Sequence, residues 1–322
     1  MAQHFLLSAA ARTLSLAKVM RLSDEEAYDA FAAVRWADND GKPFCPRCGC
    51  TVVYTYRARR IYKCKGCERQ FSLTTGTIFA SRKMSHRDLL AAIAIFVNGA
   101  KGISALQLSR DLDCQYKTAF VLAHKLREAM GAEMDERQLD GEVEIDGAYF
   151  GGHVKPANVK AERKDRRLKK HQSGKRRVVV VMRERKGRTL PFVFRAEDEA
   201  VPTIRQRVAP AATLYADEAP GWDALHLTHD LKRVNHSVNF VDGEASTNQA
   251  ESYFSRLRRA EIGIHHHVSG RHLISYAREM AWREDHRRKP NGELYGMVVA
   301  ATMAHPVSRQ WKGYWQRSKR EM

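Results

Sequence analysis

The residues Val143-Glu-Ile-Asp-Gly-Ala-Tyr-Phe150 alternate between apolar and polar or small side chains, with Asp146 in the middle. A period of two is the pattern of a β-strand with one face in a core. Reading downstream, Arg177-Val-Val-Val-Val-Met182 and Thr189-Leu-Pro-Phe-Val-Phe194 are two further strands, with Lys186-Gly187 as the hairpin turn between them. A helix is expected over 202–208, a short strand at Thr213-Leu-Tyr-Ala-Asp217, and another strand near 238–241.

Three antiparallel strands, a helix, a strand and then helices is the element order of a ribonuclease H-like α/β domain, expected over 140–288. A carboxylate in a strand interior is costly unless it is paired or binds a cation, and Asp217 ends a second strand in the same domain. The segment Ser246-Thr-Asn-Gln-Ala-Glu-Ser-Tyr-Phe-Ser-Arg-Leu-Arg-Arg259 supplies a third acid. Ser246 and Gln249 match a capping box at a helix start. Ala250, Tyr253, Phe254 and Leu257 then form its apolar face, while Asn248, Glu251, Ser255 and Arg258 share another. Carboxylate oxygens of this kind hold Mg²⁺ or Mn²⁺ with open positions, and two such ions suit an in-line phosphoryl transfer. The bland reading makes each acid an ordinary surface carboxylate.

Upstream, Cys45-Pro-Arg-Cys48 and Cys64-Lys-Gly-Cys67 form two C-x2-C pairs separated by fifteen residues, the spacing of a four-thiolate zinc site. With strands expected at Thr51-Val-Val-Tyr-Thr-Tyr56, Arg60-Ile-Tyr-Lys63 and Gln70-Phe-Ser-Leu73, residues 41–80 read as a zinc ribbon. Gly49 and Gly66 are expected to take the positive φ of the two knuckles. Two disulfides are the alternative, but a cytosolic chain keeps its thiols reduced. A closed set of four sulfurs leaves no place for water, so this zinc is structural.

Ser23-Asp-Glu-Glu26 opens a helix through Trp36 within an N-terminal helical segment, 1–40. Over 84–132 a Ser85-capped helix, a short helix over 103–112, a turn at Asp113-Cys114 and a longer helix over 115–130 resemble a helix-turn-helix module. Its last helix would present Gln115, Tyr116, Lys117 and Lys125 to DNA. The 322-residue chain carries 55 Lys and Arg against 37 Asp and Glu, a formal net charge of +18. This favours a polyanionic partner. The cations cluster: 160–177 includes Lys164, Arg166, Arg167, Lys169 and Lys170 and almost nothing apolar. The most apolar N-terminal stretch, 5–20, is broken by Arg12 and Lys18, so neither a membrane span nor a secretory signal is expected. A cytoplasmic, nucleoid-associated location follows.

The blocks from Val143 to Gly152, Tyr215-Ala-Asp217, Thr247 to Arg259, and His266-His-Val-Ser-Gly-Arg-His-Leu273, together with the Cys45–Cys67 ribbon and Thr75-Gly-Thr-Ile-Phe79, resemble bacterial insertion-sequence transposases that carry a zinc ribbon before a DDE domain. The resemblance spans about residues 20 to 290. It implies binding of double-stranded DNA at terminal inverted repeats and at the target, by a homo-oligomer on DNA, with metal-dependent cleavage and strand transfer. It also implies catalytic roles for Asp146, Asp217 and Glu251, with Asn248 the alternative third ligand, and backbone contacts for Arg258 and Arg259. His265, His266 and His267 are expected to be structural or to touch phosphate. Residues 289–322 read as a basic, motif-poor helical tail. The rival readings are a non-catalytic zinc-ribbon DNA-binding regulator and a plain nuclease.

Overall fold

A computed structural model describes residues 5–132, 134, 138–152, 155–165, 168–171, 173–234 and 246–317, the side chain of Lys169 apart. In chain order the helices are α1 (Leu16–Met20), α2 (Asp24–Arg35), α3 (His86–Asn98), α4 (Ala105–Asp111), α5 (Tyr116–Ala132), α6 (Val201–Arg207), α7 (Asn248–Ala260), α8 (Leu273–Asp285), α9 (Asn291–Ala304) and α10 (Tyr314–Arg317). The strands are β1 (Val53–Tyr56), β2 (Ile61–Cys64), β3 (Gln70–Ser72), β4 (Glu142–Phe150), β5 (Arg177–Glu184), β6 (Thr189–Phe194), β7 (Thr213–Asp217) and β8 (Asp230–Val234). The chain divides into two units, Met1–Glu133 with His286–Met322, and Met134–Asp285.

In the first unit β1, β2 and β3 form an antiparallel meander with Val53 opposite Cys64 and Ile61 opposite Ser72. α2 begins at the expected capping box, since the Ser23 amide donates to Glu26 Oε2 at 2.7 Å and the Glu26 amide to Ser23 Oγ at 3.2 Å. The helix is tied to the meander by the Tyr28 and Tyr62 hydroxyls, 2.6 Å apart, and by Trp36 edge-on to Tyr62. Ser85 and Ser104 cap α3 and α4 through the amides of Asp88 and Gln107. Asp113, at φ 46°, makes the left-handed turn into α5. The sequence suggests only a basic tail after 289, but α9 packs against α2, α3 and α5, burying Val298, Val299 and Met303. Its residues are apolar around most of the helix, and such a helix has to be buried.

The second unit is a five-stranded sheet of order β6-β5-β4-β7-β8. β5 pairs antiparallel with both β4 and β6, while β7 runs parallel to β4 and β8 parallel to β7. Alternation along β4 divides its side chains between two cores. Val143 and Ile145 join Val180, Met182, Ile204, Trp222 and Leu225 on the face of α6. Ala148 and Phe150 join Val179, Val181, Tyr253, Leu257 and Met280 on the face of α7 and α8. The strand at 230–234 is an edge, with Leu231 and Val234 buried between exposed neighbours. The stretch 238–241, where a strand is expected from sequence, lies outside the described residues. Among the described residues no helix is long and apolar enough to cross a membrane.

Candidate active site and thiolate centre

Asp146 lies on β4, opposite Val181 of β5, on the side of the sheet that faces α7. The parallel register with β7 ends on the pair Ile145 and Ala216. The next residues are Asp146 and Asp217, which the two strands therefore set side by side. Asp217 is fixed through Oδ1, which accepts the indole N–H of the fully buried Trp222 at 2.8 Å and the Ala219 amide at 3.2 Å.

Glu251 is exposed in the first turn of α7. The expected Ser246–Gln249 capping box does not form: the N-cap is Thr247, without a side-chain cap bond. A strand residue does the capping. Glu144, 1% exposed and two positions before Asp146, accepts the amides of Gln249 and Ala250 on Oε2 at 2.8 and 3.0 Å. An anion at a helix N-terminus satisfies otherwise orphaned N–H groups and the helix dipole together. Arg185 balances the buried charge, donating to Glu144 Oε1 at 3.0 Å and to the carbonyl and hydroxyl of Ser246 at 3.1 Å. Ser246 is thus an acceptor for an arginine rather than a cap. The strand that carries Asp146 also fixes the start of the helix that carries Glu251.

Burial, opposed by the Gly147 amide on Oδ1 at 2.7 Å, and the negative charges of Asp217, Glu251 and Glu197 push the Asp146 carboxyl up to about 7. Glu197 is a fourth acid that sequence reading passes over. It sits half-buried between β6 and α6, and burial and Asp217 raise its proton affinity, with Arg176 acting against them. It reaches the site because residue 147 is glycine: a Cβ there would stand 2.8 Å from Glu197 Oε1. The glycine next to Asp146 is the one sequence feature that could have indicated it. A half-buried carboxylate among three other acids is a donor set that a divalent cation stabilises.

Asn248, the alternative third ligand, opens α7 and is exposed. Arg258 is exposed on the same helix, its guanidinium 5.4 Å from the centre of the Phe150 ring, and Arg259 Nε donates to the Ser255 carbonyl at 2.9 Å. Lys164 and Lys170 are exposed in the segment between β4 and β5. Arg166 and Arg167 lie outside the described residues, as does the Lys169 side chain. Lys117 and Lys125 belong to α5 in the first unit, Lys117 exposed and Lys125 half-buried. His265 packs edge-on against Tyr276, ring centres 4.6 Å apart, as a structural histidine would.

The thiols of Cys45, Cys48, Cys64 and Cys67 all lie within 4.8 Å of one another. Among the described residues no other three or more such side chains meet that spacing, so the carboxylates stand in a more open arrangement. The Cys67 amide donates to Cys64 Sγ at 3.4 Å and helps to draw that thiol down to about 6. The four sulfurs fit a structural zinc ion. One knuckle differs from expectation: Gly49 has φ 72°, but its counterpart after the second pair is Glu68, at φ 57°, and not Gly66. Gly66 needs neither a positive φ nor extra space, since a Cβ there would meet Cys50 Sγ at an ordinary contact distance of 3.5 Å.

Compared with known proteins, residues 138–285 match the ISXO2-like transposase domain and residues 22–70 the transposase zinc-ribbon domain. The chain is 26% identical over 295 residues, 88% of its own length and 98% of the relative's, to an uncharacterized protein in transposable element ISH50 of Halobacterium salinarum. No solved structure matches the chain.

Proposed function

We infer that this chain, which belongs to the insertion-sequence transposases with a zinc ribbon ahead of the transposase domain, cuts the ends of its element and joins them to target DNA at Asp146, Asp217 and Glu251. One juxtaposition carries the reading: Asp146 and Asp217 end up adjacent on parallel strands, and Glu251 projects from a helix anchored to the same strand by Glu144. The strand order, with helices on both faces, supports a ribonuclease H-like fold. Ligand sites in open α/β sheets lie at the carboxyl ends of such parallel strands.

Magnesium or manganese held by the three carboxylates would supply the Lewis acidity that activates the attacking hydroxyl and offsets charge on the leaving oxygen. The strands and the capped helix fix where the carboxylates stand, so little reorganisation is needed when DNA arrives. Arg258, about two turns beyond Glu251 on the same helix, is exposed for a backbone phosphate. In the first step water attacks phosphorus at the element end, the bond to the 3′ oxygen breaks, and a 3′-hydroxyl is released. In the second that hydroxyl attacks a target phosphodiester and a target 3′ oxygen leaves, so one phosphodiester replaces another. The helices over 84–132 and the ribbon are assigned to reading the terminal repeats, Lys117, Lys125 and the cations of 160–177 to phosphate contacts.

Asp146→Asn and Asp217→Asn proteins are expected to bind terminal-repeat duplex as the wild type does. They should lose cleavage and joining by about a thousandfold, the several kcal/mol that charge stabilisation by a bound cation is worth. Variants that bind, cut and join like the wild type would remove the catalytic assignment. A wild type that binds the repeats but never cuts with either metal would make the chain a regulator.

A further inference from the structure

The first unit holds a cavity of about 580 Å³ whose lining includes Lys117 and Lys125, assigned above to phosphate contacts, and none of the proposed catalytic carboxylates. Its walls come from the segment after the ribbon, from the start of α5 and from the C-terminal segment around α10. Arg82, Lys83, Lys117, Lys125 and Lys312 line it, and among the described residues no carboxylate does. Lys125 is half-buried there, and desolvation lowers its proton affinity against the pull of Glu128. A buried ammonium of that kind favours an anion beside it.

The other wall is aromatic. Trp311 is 2% exposed and stacks on His124 at 4.1 Å, whereas Tyr314 and Trp315 are half-buried and line the cavity. The Trp315 indole N–H donates to the Lys117 carbonyl at 3.2 Å, and the Lys117 ammonium lies 5.5 Å from the centre of that ring. The aromatic segment is therefore pinned to α5 rather than loose beside it. A lining with five cations and no acid among the described residues favours an anion, and half-buried rings call for a flat apolar surface. A free phosphate would use only the first and a stacked duplex only its backbone; an unstacked nucleotide uses both.

We propose that this cavity binds one unpaired nucleotide of a DNA strand, with its phosphate among Lys125, Lys117 and Lys312 and its base against Trp315 and Tyr314. The site belongs to the first unit and includes none of the proposed catalytic carboxylates, and its ligand is a distorted or single-stranded stretch rather than the paired repeat.

The test is tryptophan fluorescence of the full, zinc-loaded chain without magnesium or manganese, titrated with a thymidine pentanucleotide, a blunt duplex and inorganic phosphate. The pentanucleotide is expected to quench the signal, and neither phosphate nor the duplex at equal nucleotide concentration should match it. Lys125→Gln should weaken pentanucleotide binding about tenfold, one lost charge-assisted contact. Trp315→Phe should remove most of the quench. Lys125→Arg should restore binding, which separates the site from a folding defect, and Lys42→Gln, an exposed charge elsewhere in the unit, should change nothing. Asp146→Asn should bind the pentanucleotide normally, so failure of the catalytic reading and of this one remain distinguishable. Equal quenching by phosphate or by duplex, or unchanged affinity in Lys125→Gln, would overturn the proposal.

Discussion

Asp146 holds its proton up to about 7, against the ordinary aspartate value of 3.8, because burial and three neighbouring acids disfavour its charged form. Below pH 3.8 both the folded and the unfolded chain keep this proton; between 3.8 and about 7 only the folded chain does. Stability from this group is therefore greatest at low pH, is lost progressively as the pH rises, and levels off beyond about 7. If the proposed site holds a divalent cation in the proton's place, Mg²⁺ should raise the melting temperature of the second unit by a few degrees at pH 8 and by little at pH 5. Asp146→Asn should flatten both the pH dependence and the Mg²⁺ response. Parallel melting profiles for the two proteins, with and without Mg²⁺, would mean that Asp146 neither titrates nor binds metal as argued. The first two acids were legible because each interrupts or ends an apolar strand. Glu197 was not, since Glu197-Asp-Glu199 reads as a solvated acidic run and only the missing Cβ of Gly147 brings its first member inward.

α7 depends on a side chain from far earlier in the chain. Glu144 is buried, accepts two of the helix's opening amides and pairs with Arg185. Removing it would leave Arg185 half-compensated and the helix start uncapped. Glu144→Ala is thus expected to cost about 3–5 kcal/mol, the range for breaking one side of a buried ion pair, read by urea unfolding of the second unit. Hydrogen exchange at the Gln249 and Ala250 amides should accelerate first, and cleavage should fall with it because Glu251 shares that turn. Glu144→Gln, which keeps one acceptor, should lose less. Unchanged amide protection in Glu144→Ala would show that α7 is held by its apolar face alone. Sequence could not show this cap: Ser246 with Gln249 satisfies the local rule for a helix start, and the competing carboxylate is supplied by a strand. The edge strand at 230–234 escaped for a similar reason, since Asp-Leu-Lys-Arg-Val buries only two residues. The ribbon, whose ligands are all local, was readable throughout except that Glu68 takes the left-handed position.

Most of the net charge of +18 falls in the first unit, which tempts one to treat the last 34 positions, with five Arg and Lys from 309 on, as a solvated tail. Their middle contradicts this. Asn-Gly-Glu-Leu-Tyr-Gly-Met-Val-Val-Ala-Ala-Thr-Met-Ala304 has no consistently polar side, and in the fold α9 sits against α2, α3 and α5 with Val298, Val299, Thr302 and Met303 buried. Its partners lie so far upstream that no local pattern reveals them. A chain ended after Arg288 would expose the surfaces these residues cover and lose buried Trp311, which stacks on His124. At about 1.5–3 kcal/mol for each large apolar side chain, the loss matches or exceeds the whole stability of an ordinary domain, about 5–15 kcal/mol. The truncated chain should therefore fail to fold its first unit while keeping the second. Limited proteolysis should yield a protected fragment spanning about 134–285 and rapid loss of everything before it, with helical circular dichroism falling by more than the deleted residues account for. Survival of the first unit, with undiminished protease resistance over 24–132, would mean that α9 only covers a bundle already stable without it.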